Sequence, residues 1–344
     1  MNSFGIWAKY KTNEFKSPVE VHANLWHIGK NTDNAFIDFG VMIPQHTDLL
    51  NLSIILPFSV PSESLSDLSS ILLQDGIGSL VFNTECSVRV NSKIGKLKTR
   101  TLCLDNSDKH ILLLPITESS SYYGIRISFD EIKELRRINI DFSKFRGDFN
   151  DCEKIYIRFR IRHSIIKDSM FCKLSKKNRY LESAFTGTQI IDFMVNELRN
   201  IRPEVNELMT NDGFELVDLS KVHFFVMEPA ENDVTAGDAE CRRLEPGWKN
   251  YLDEGDYQDN TLVYHWSKKP SKDTSSFSNY SKLVKVTSSE TNLKLIITYI
   301  LIVVLLSVTA NIFYDGLKLF CKWIPGFLIS ILKIIVDYLT KITS

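Results

Sequence analysis

From Leu295 to Tyr314 the chain reads LIITYILIVVLLSVTANIFY, twenty consecutive residues without a charge. At ~1.5 Å per helical residue this run spans ~30 Å, the thickness of the hydrocarbon layer of a bilayer. A soluble core rarely needs so many uncharged positions in succession, and the run lies far from where a signal peptide sits. It is therefore read as a transmembrane helix, and the rest of the fold has to be built from the residues ahead of it.

Beyond Asp315 and Gly316 the sequence is again apolar, LKLFCKWIPGFLISILKIIVDYLT, but it carries Lys318, Lys322, Lys333, Asp337 and, just after, Lys341. On a helical wheel these five fall within about 140° of one another, a single polar stripe. Phe320, Ile324, Phe327, Leu328 and Ile331 occupy the other side, a face compatible with lipid. Such a helix either lies in the interface with its charges toward headgroups or crosses with its stripe facing a polar path between subunits. Pro325 and Gly326 place a bend near its start. Residues 292–344 are thus expected to form a transmembrane module of two helices, a hairpin whose partner is the lipid bilayer.

Charge sets the expected orientation. Lys268, Lys269, Lys272, Lys282, Lys285 and Lys294 precede the first span, opposed by Asp273 and Glu290, which places that flank in the cytoplasm. The N-terminal MNSFGIWAKYKTNEF lacks the apolar core of a secretory signal. Cys86, Cys103, Cys152, Cys172 and Cys241 have no short paired spacing, as expected of thiols in a reducing compartment. The expected location is a cell inner membrane with the large N-terminal part cytoplasmic.

That part reads as mainly β and sandwich-like. Ala35–Ile43, Leu49–Phe58, Leu80–Asn91, His110–Ile116, Tyr123–Phe129, Ile138–Phe142 and Ile155–Arg162 are short runs of Ile, Val, Phe and Leu between polar or Pro/Gly/Ser punctuation. Few helices are expected: Ser64–Gln74, and Phe129–Arg137 behind the capping pattern of Ser128 and Glu131. Two lobes are drawn. Residues 1–174 form the first; residues 175–266 form the second, which opens with the basic stretch Ser175–Tyr180 and has strands at Gln189–Val195, Val222–Met227 and Leu262–Trp266. Glu231–Asn260 is a long polar loop region of the functional or mobile kind. Residues 267–291, rich in Ser and Lys, read as a polar linker to the membrane.

Several residues carry candidate chemistry. In IYIRFRIR the alternation puts Arg158, Arg160 and Arg162 on one face, where they can bind phosphates or an acidic partner, or balance neighbouring carboxylates on a solvated sheet face. Arg242, Arg243 and Trp248, with Glu240 and Glu245, offer forked donors and a stacking face to a phosphate or carboxylate, or form an ion-pair network with the acidic cluster Asp253, Glu254, Asp256 and Asp259. The seven histidines are dispersed, and no phosphate loop, paired Cys-x-x-Cys, zinc-protease helix or nucleophile elbow occurs. Cys241 could meet His223 or His265 only through the fold. No catalytic, cofactor-binding or metal-binding residue is assigned, and the chain is read as non-enzymatic. A formal net charge of −1 leaves no general nucleic-acid footprint.

In layout, over roughly residues 270–344, the chain resembles the transmembrane effectors of bacterial phage-defence systems such as retrons and cyclic-nucleotide-signalling operons. The resemblance implies a cytoplasmic sensing or regulatory domain, a membrane-perturbing module and abortive infection. Such an effector is expected to be a homo-oligomer, because one two-helix unit cannot enclose a polar path without leaving its stripe in lipid, or to be restrained by a regulatory protein or ribonucleoprotein. The alternative is a tail-anchored scaffold or receptor whose β domain binds another protein and whose C-terminus only fixes it to the bilayer.

Overall fold

The computed structural model describes residues 3–12, 16–28, 35–44, 48–94, 97–104, 110–117, 121–122, 124–145, 152–174, 186–235, 237–289 and 293–342. They divide into two compact units, residues 1–175 with 187–288, and residues 176–186 with 289–344.

In the first unit the chain forms β1 (Gly5–Tyr10), β2 (Val19–His27), β3 (Ala35–Pro44), β4 (Leu49–Ile55) and β5 (Leu65–Asp67). The short helix α1 (Ile77–Phe82) follows, then β6 (Cys86–Ile94), β7 (Leu97–Leu104), β8 (His110–Leu113), β9 (Ser121–Tyr122), β10 (Ile125–Ile132), β11 (Leu135–Asp141) and β12 (Cys152–Ile161). After α2 (Ile165–Met170) come β13 (Phe171–Lys173) and β14 (Thr186–Val195). Then follow α3 (Pro203–Asn211), β15 (Glu215–Leu216), β16 (Leu219–Pro229), β17 (Asp233–Thr235), β18 (Glu240–Arg243), β19 (Thr261–Lys268) and β20 (Tyr280–Ser289).

Among the described residues these strands make three sheets. One runs β15-β1-β4-β11-β10-β9, the largest runs β18-β19-β16-β2-β3-β12-β8-β7-β6 with β5 beside β12, and a small one runs β13-β14-β20-β17. Alternation along the strands supplies the core. Val21, Ala23 and Leu25 of β2, Ile37, Phe39 and Val41 of β3, and Ile155, Ile157 and Phe159 of β12 share one cluster with Ile6, Leu52, Ile54 and Ile138 of the six-stranded sheet. Phe193, Val284 and Val286 of the small sheet join the same cluster.

The largest sheet is covered on its other face as well. Trp26, Phe36, Met42 and Tyr156 pack there against Leu68, Leu72, Leu244, Trp248 and Tyr251, residues of the connections around 68–72 and 244–252. Behind the six-stranded sheet, Trp7, Ile55 and Leu135 meet Val205 and Met209 of α3. Sheets buried on both faces lose the one-sided pattern of a solvated sheet, and β2 has eight of its nine residues buried.

The mainly β architecture with few short helices agrees with the sequence reading; several details differ. The strands of the second half do not form a lobe of their own, because β16 pairs in parallel with β2 and β1 pairs with β15. Residues 280–289 are not part of a linker. They form β20, and Tyr280, Val284 and Val286 are core residues that its alternation turns inward. Phe129–Arg137 is not a helix but the hairpin of β10 and β11. Ile132 pairs with Leu135, and Lys133 and Glu134 between them hold φ of 49° and 63°, the left-handed pair of a tight hairpin turn. Leu80–Asn91 begins as helix and becomes strand only after Asn83, whose φ of 51° ends α1. Ser64–Gln74 holds β5 and a three-residue turn in place of one helix. The basic stretch Ser175–Tyr180 lies outside the described residues.

The second unit is described as α4, Leu293–Ile342, a helix of 50 residues. It contains one stretch long and apolar enough to cross a membrane, Ile296–Lys341, none of it buried. Phe313 is 71% exposed and Leu319 70%, an apolar surface that water does not tolerate over such a length. The sequence predicts a break at Asp315–Gly316, but the helix runs through it and through Pro325. Glycine lowers helix stability by only about 1 kcal/mol, which flanking turns outweigh. Thr309 Oγ1 donates to the carbonyl of Leu305 at 2.7 Å and Ser330 Oγ to that of Gly326 at 2.9 Å. Each hydroxyl is thus satisfied within the helix, as an apolar environment requires.

Candidate functional site

The outer face of the largest sheet holds a cleft of about 580 Å³. Period-two alternation builds its floor: Glu20, His22 and Asn24 project from β2, Lys221, His223 and Phe225 from β16, and Arg158 from β12. Parallel pairing sets His223 of β16 beside His22 of β2, and antiparallel pairing sets His265 of β19 opposite both Phe225 and Glu240.

A continuous polar chain links this cleft to the buried interior. Asp38, fully buried on β3, accepts hydrogen bonds from Trp26 Nε1 (2.8 Å), Arg160 Nε (2.7 Å) and Tyr251 Oη (2.8 Å). Tyr251 Oη in turn accepts from Arg158 Nε at 2.8 Å, and Arg158 Nη1 donates to Tyr156 Oη at 2.9 Å. Tyr156 Oη lies 3.1 Å from His22 Nδ1. His22 Nε2 is 3.1 Å from Glu20 Oε1, and His223 Nε2 is 3.5 Å from the same oxygen. His223 Nδ1 meets His265 Nε2 at 2.9 Å, and His265 Nδ1 is 3.6 Å from Glu240 Oε2.

Gly40 makes part of this geometry possible. It pairs with His22 on one side and Arg158 on the other, and a Cβ there would lie 2.3 Å from Tyr156 Oη. The missing side chain lets Tyr156 lean across β3 to reach His22, a close approach of the kind that an isolated strand glycine marks.

The electrostatics follow from burial and partners. Burial raises the Asp38 carboxyl, but the Arg160 and Arg158 guanidiniums and the Tyr251 hydroxyl outweigh it and hold Asp38 below the usual carboxylate range. Glu20 is likewise raised by burial and brought well below its ordinary value by hydrogen bonds from His22 and His223. Burial pushes His22 down to about 4 against the pull of Glu20, so its imidazole is neutral near pH 7. Burial and His223 lower His265 as well.

The sequence-predicted contact residues divide. Arg158 and Arg160 do not present a solvated face: they are 1% and 3% exposed, because Tyr251 and its neighbours cover the polar side of β12. They are interior counter-charges of Asp38; Arg158 also lines the cleft, and its buried Nη2, 4.0 Å from Asp38 Oδ2, has no hydrogen-bond partner among the described residues. Arg162 is half-exposed over the Phe36 ring and pairs with Asp253 and Asp256. The acidic cluster is therefore matched by β12. Arg242, at the cleft rim, pairs with Glu245 at 3.2 Å, and Arg243 Nε donates to the carbonyl of Asp259. Trp248 is no stacking platform: it is buried edge-on against Trp26, with Nε1 donating to Glu245. Cys241 pairs across the ladder with Tyr264 while Glu240 pairs with His265, so the thiol lies on the opposite face from the histidines and no Cys-His dyad forms. Cys86, Cys103, Cys172 and Cys241 form no disulfide.

The grouping of Glu20, His22, His223 and His265 was missed from the sequence. The Glu20-x-His22 spacing within VEVHANLWH was the available signal, since two polar side chains two apart share a strand face. Lys318, Lys322, Lys333, Asp337 and Lys341 all lie on α4. No break in the helix disturbs their common register, so they remain one stripe.

No protein family and no curated protein matches the chain. Among solved structures, the Fcho1 Mu homology domain of Danio rerio with bound Eps15 peptide aligns over 80% of each chain, at 7% identity and a TM-score of 0.16, a likeness too slight to carry fold or function.

Proposed function

We propose that this chain is a membrane effector: a β-rich sensing domain held at a cell inner membrane by α4, whose second half perturbs or permeabilises the bilayer. The observation that carries the reading is α4 itself. A simple anchor needs ~20 apolar residues, whereas α4 has 50 and is ~75 Å long, more than twice the hydrocarbon thickness. Beyond Gly316 it carries five charges on one side and an exposed apolar surface on the other. Each charge at bilayer depth costs ~2.5 to 3.5 kcal/mol on insertion scales, which favours sharing the stripe in an oligomer or drawing it to the interface. Either outcome stresses the membrane. In a bilayer the helix would bend where Asp315–Gly316 and Pro325–Gly326 weaken it.

The lysines from Lys268 to Lys294 support a cytoplasmic β domain. The layout supports a role in anti-phage abortive infection, with a partner or ligand of the β domain as restraint. A tail-anchored scaffold without membrane-damaging activity is the competing reading, and the length and stripe of α4 count against it.

The test is membrane potential after induced expression in bacteria. The full chain is expected to depolarise the inner membrane, and Lys322→Leu with Lys333→Leu is expected to insert but leave the potential intact. Equal depolarisation by the double variant would remove the stripe from the mechanism.

A further inference from the structure

We propose that Glu20, His22 and His223 bind one divalent transition-metal ion of the zinc class, with an open coordination position facing the cleft. This inference concerns the β unit and stands whether or not α4 acts on the membrane. The donor set is two imidazoles and one carboxylate, which suits zinc with a fourth position left for water or a ligand. Metal–ligand bonds of about 2.0 to 2.2 Å in a tetrahedron separate neighbouring ligand atoms by roughly 3.4 Å. Glu20 Oε1 lies 3.1 Å from His22 Nε2 and 3.5 Å from His223 Nε2, and all three donor atoms lie within 4.8 Å of one another. Two edges of the tetrahedron are thus already formed.

The outer partners fit the same assignment. A metal-bound imidazole presents one bare nitrogen to the ion and directs its other N–H to a second group. Both histidines turn Nε2 toward Glu20 and Nδ1 away from it. His22 Nδ1 can donate to Tyr156 Oη, which has a second lone pair for Arg158. His223 Nδ1 can donate to His265 Nε2, whose own Nδ1 faces Glu240, giving a metal–histidine–histidine–carboxylate relay. Lys221 Nζ, 3.6 Å from Glu20 Oε1, supplies the counter-charge that the ion would take over, and its flexible stem lets it swing aside.

The open position also indicates a ligand class. Lys154, Arg158, Lys221 and Arg242 outnumber Glu20 and Glu240 among the charged residues lining the cleft. Arg158 is the buried one of the four, 1% exposed. A small anion bound to the metal would meet this positive lining.

The experiment uses the full chain in detergent, stripped with a chelator and titrated with Zn²⁺ by calorimetry, with Co²⁺ as a visible-light probe. One equivalent is expected to bind, Glu20→Gln and His223→Gln are each expected to weaken binding at least 100-fold, and the Co²⁺ form is expected to show the intense bands of a tetrahedral site. His265→Ala, a positioning change, is expected to cost about 10-fold to 100-fold. Inorganic phosphate is expected to shift the Co²⁺ spectrum. Circular dichroism verifies that each variant is folded, and the wild-type Co²⁺ spectrum stands independently of them. Absence of 1:1 binding, affinity unchanged in folded Glu20→Gln and His223→Gln, or absence of tetrahedral bands would overturn the site. A spectrum indifferent to phosphate would overturn the anion assignment.

Discussion

Replacing Asp38 with asparagine keeps the shape of the side chain and one oxygen acceptor but removes the carboxylate hydrogen-bonded to the buried guanidinium of Arg160, leaving it the exposed Asp253 at 3.5 Å as its ion-pair partner among the described residues. Arg158 Nη2, 4.0 Å away, loses the same counter-charge. Breaking a buried ion pair from one side costs about 3 to 5 kcal/mol, because the remaining charge stays desolvated. Trp26 and Tyr251 already share Oδ2, so an amide whose oxygen stays there turns its NH2 toward Arg160 Nε, and that orphaned donor adds about 1 to 3 kcal/mol, not fully additive with the first term. We expect a loss of about 4 kcal/mol, a large part of the 5 to 15 kcal/mol typical of a domain. Urea unfolding of the full chain in detergent, followed by tryptophan fluorescence, measures it. With a slope of roughly 3 kcal/mol/M, the midpoint falls by about 1.3 M. Arg162→Ala is the internal comparison, since its half-exposed ion pairs are worth about 0 to 1 kcal/mol. A loss below about 1 kcal/mol for Asp38→Asn, or an equal loss for Arg162→Ala, would refute the account of β12 as a strand buried on both faces.

Further outcomes follow from the same structure. Asp38 is held below its unfolded value of about 3.9, so its stabilisation is present above that pH and is lost as pH falls below it. The stability gap between wild type and Asp38→Asn should accordingly narrow in urea titrations below about pH 4, and a gap constant with pH would contradict the assignment. Gly40→Ala places a methyl against Tyr156 Oη and should cost about 1 to 3 kcal/mol in the same assay, accompanied by weaker metal binding as Tyr156 is pushed from His22. Val284→Ala should cost about 2 kcal/mol because β20 is core; no change would restore the reading of residues 280–289 as a linker.

The apolar C-terminal helix was legible because a membrane-spanning run is a local property of composition. Strands such as β3, β12, β14, β16 and β19 were legible from alternation and β-branched content. What alternation could not tell is which face is covered. IYIRFRIR looks half-solvated until Tyr251, ninety residues further on, closes over Arg158 and Arg160. The hairpin at Lys133–Glu134 was hidden because Phe129, Ile132 and Leu135 repeat at helical spacing, while the decisive fact, two residues with positive φ, has no Gly or Asn to announce it. The cleft was least legible. Glu20 and His22 are neighbours on β2, but His223 reaches them only through the parallel pairing of β16, a contact two hundred residues long in sequence. Gly40 carries a signal there, yet its meaning depends on the lean of Tyr156.

The measurement that bears most directly on the proposed activity is ion leakage from liposomes reconstituted with the purified full chain, compared with a chain whose residues 293–342 are replaced by an unrelated single span. The account predicts rapid leakage with the native α4 and none with the replacement, although both insert and both retain a folded β unit. Tight liposomes with the native helix, under conditions where it is inserted and any restraint has been removed, would contradict a membrane-perturbing role and leave α4 as an anchor.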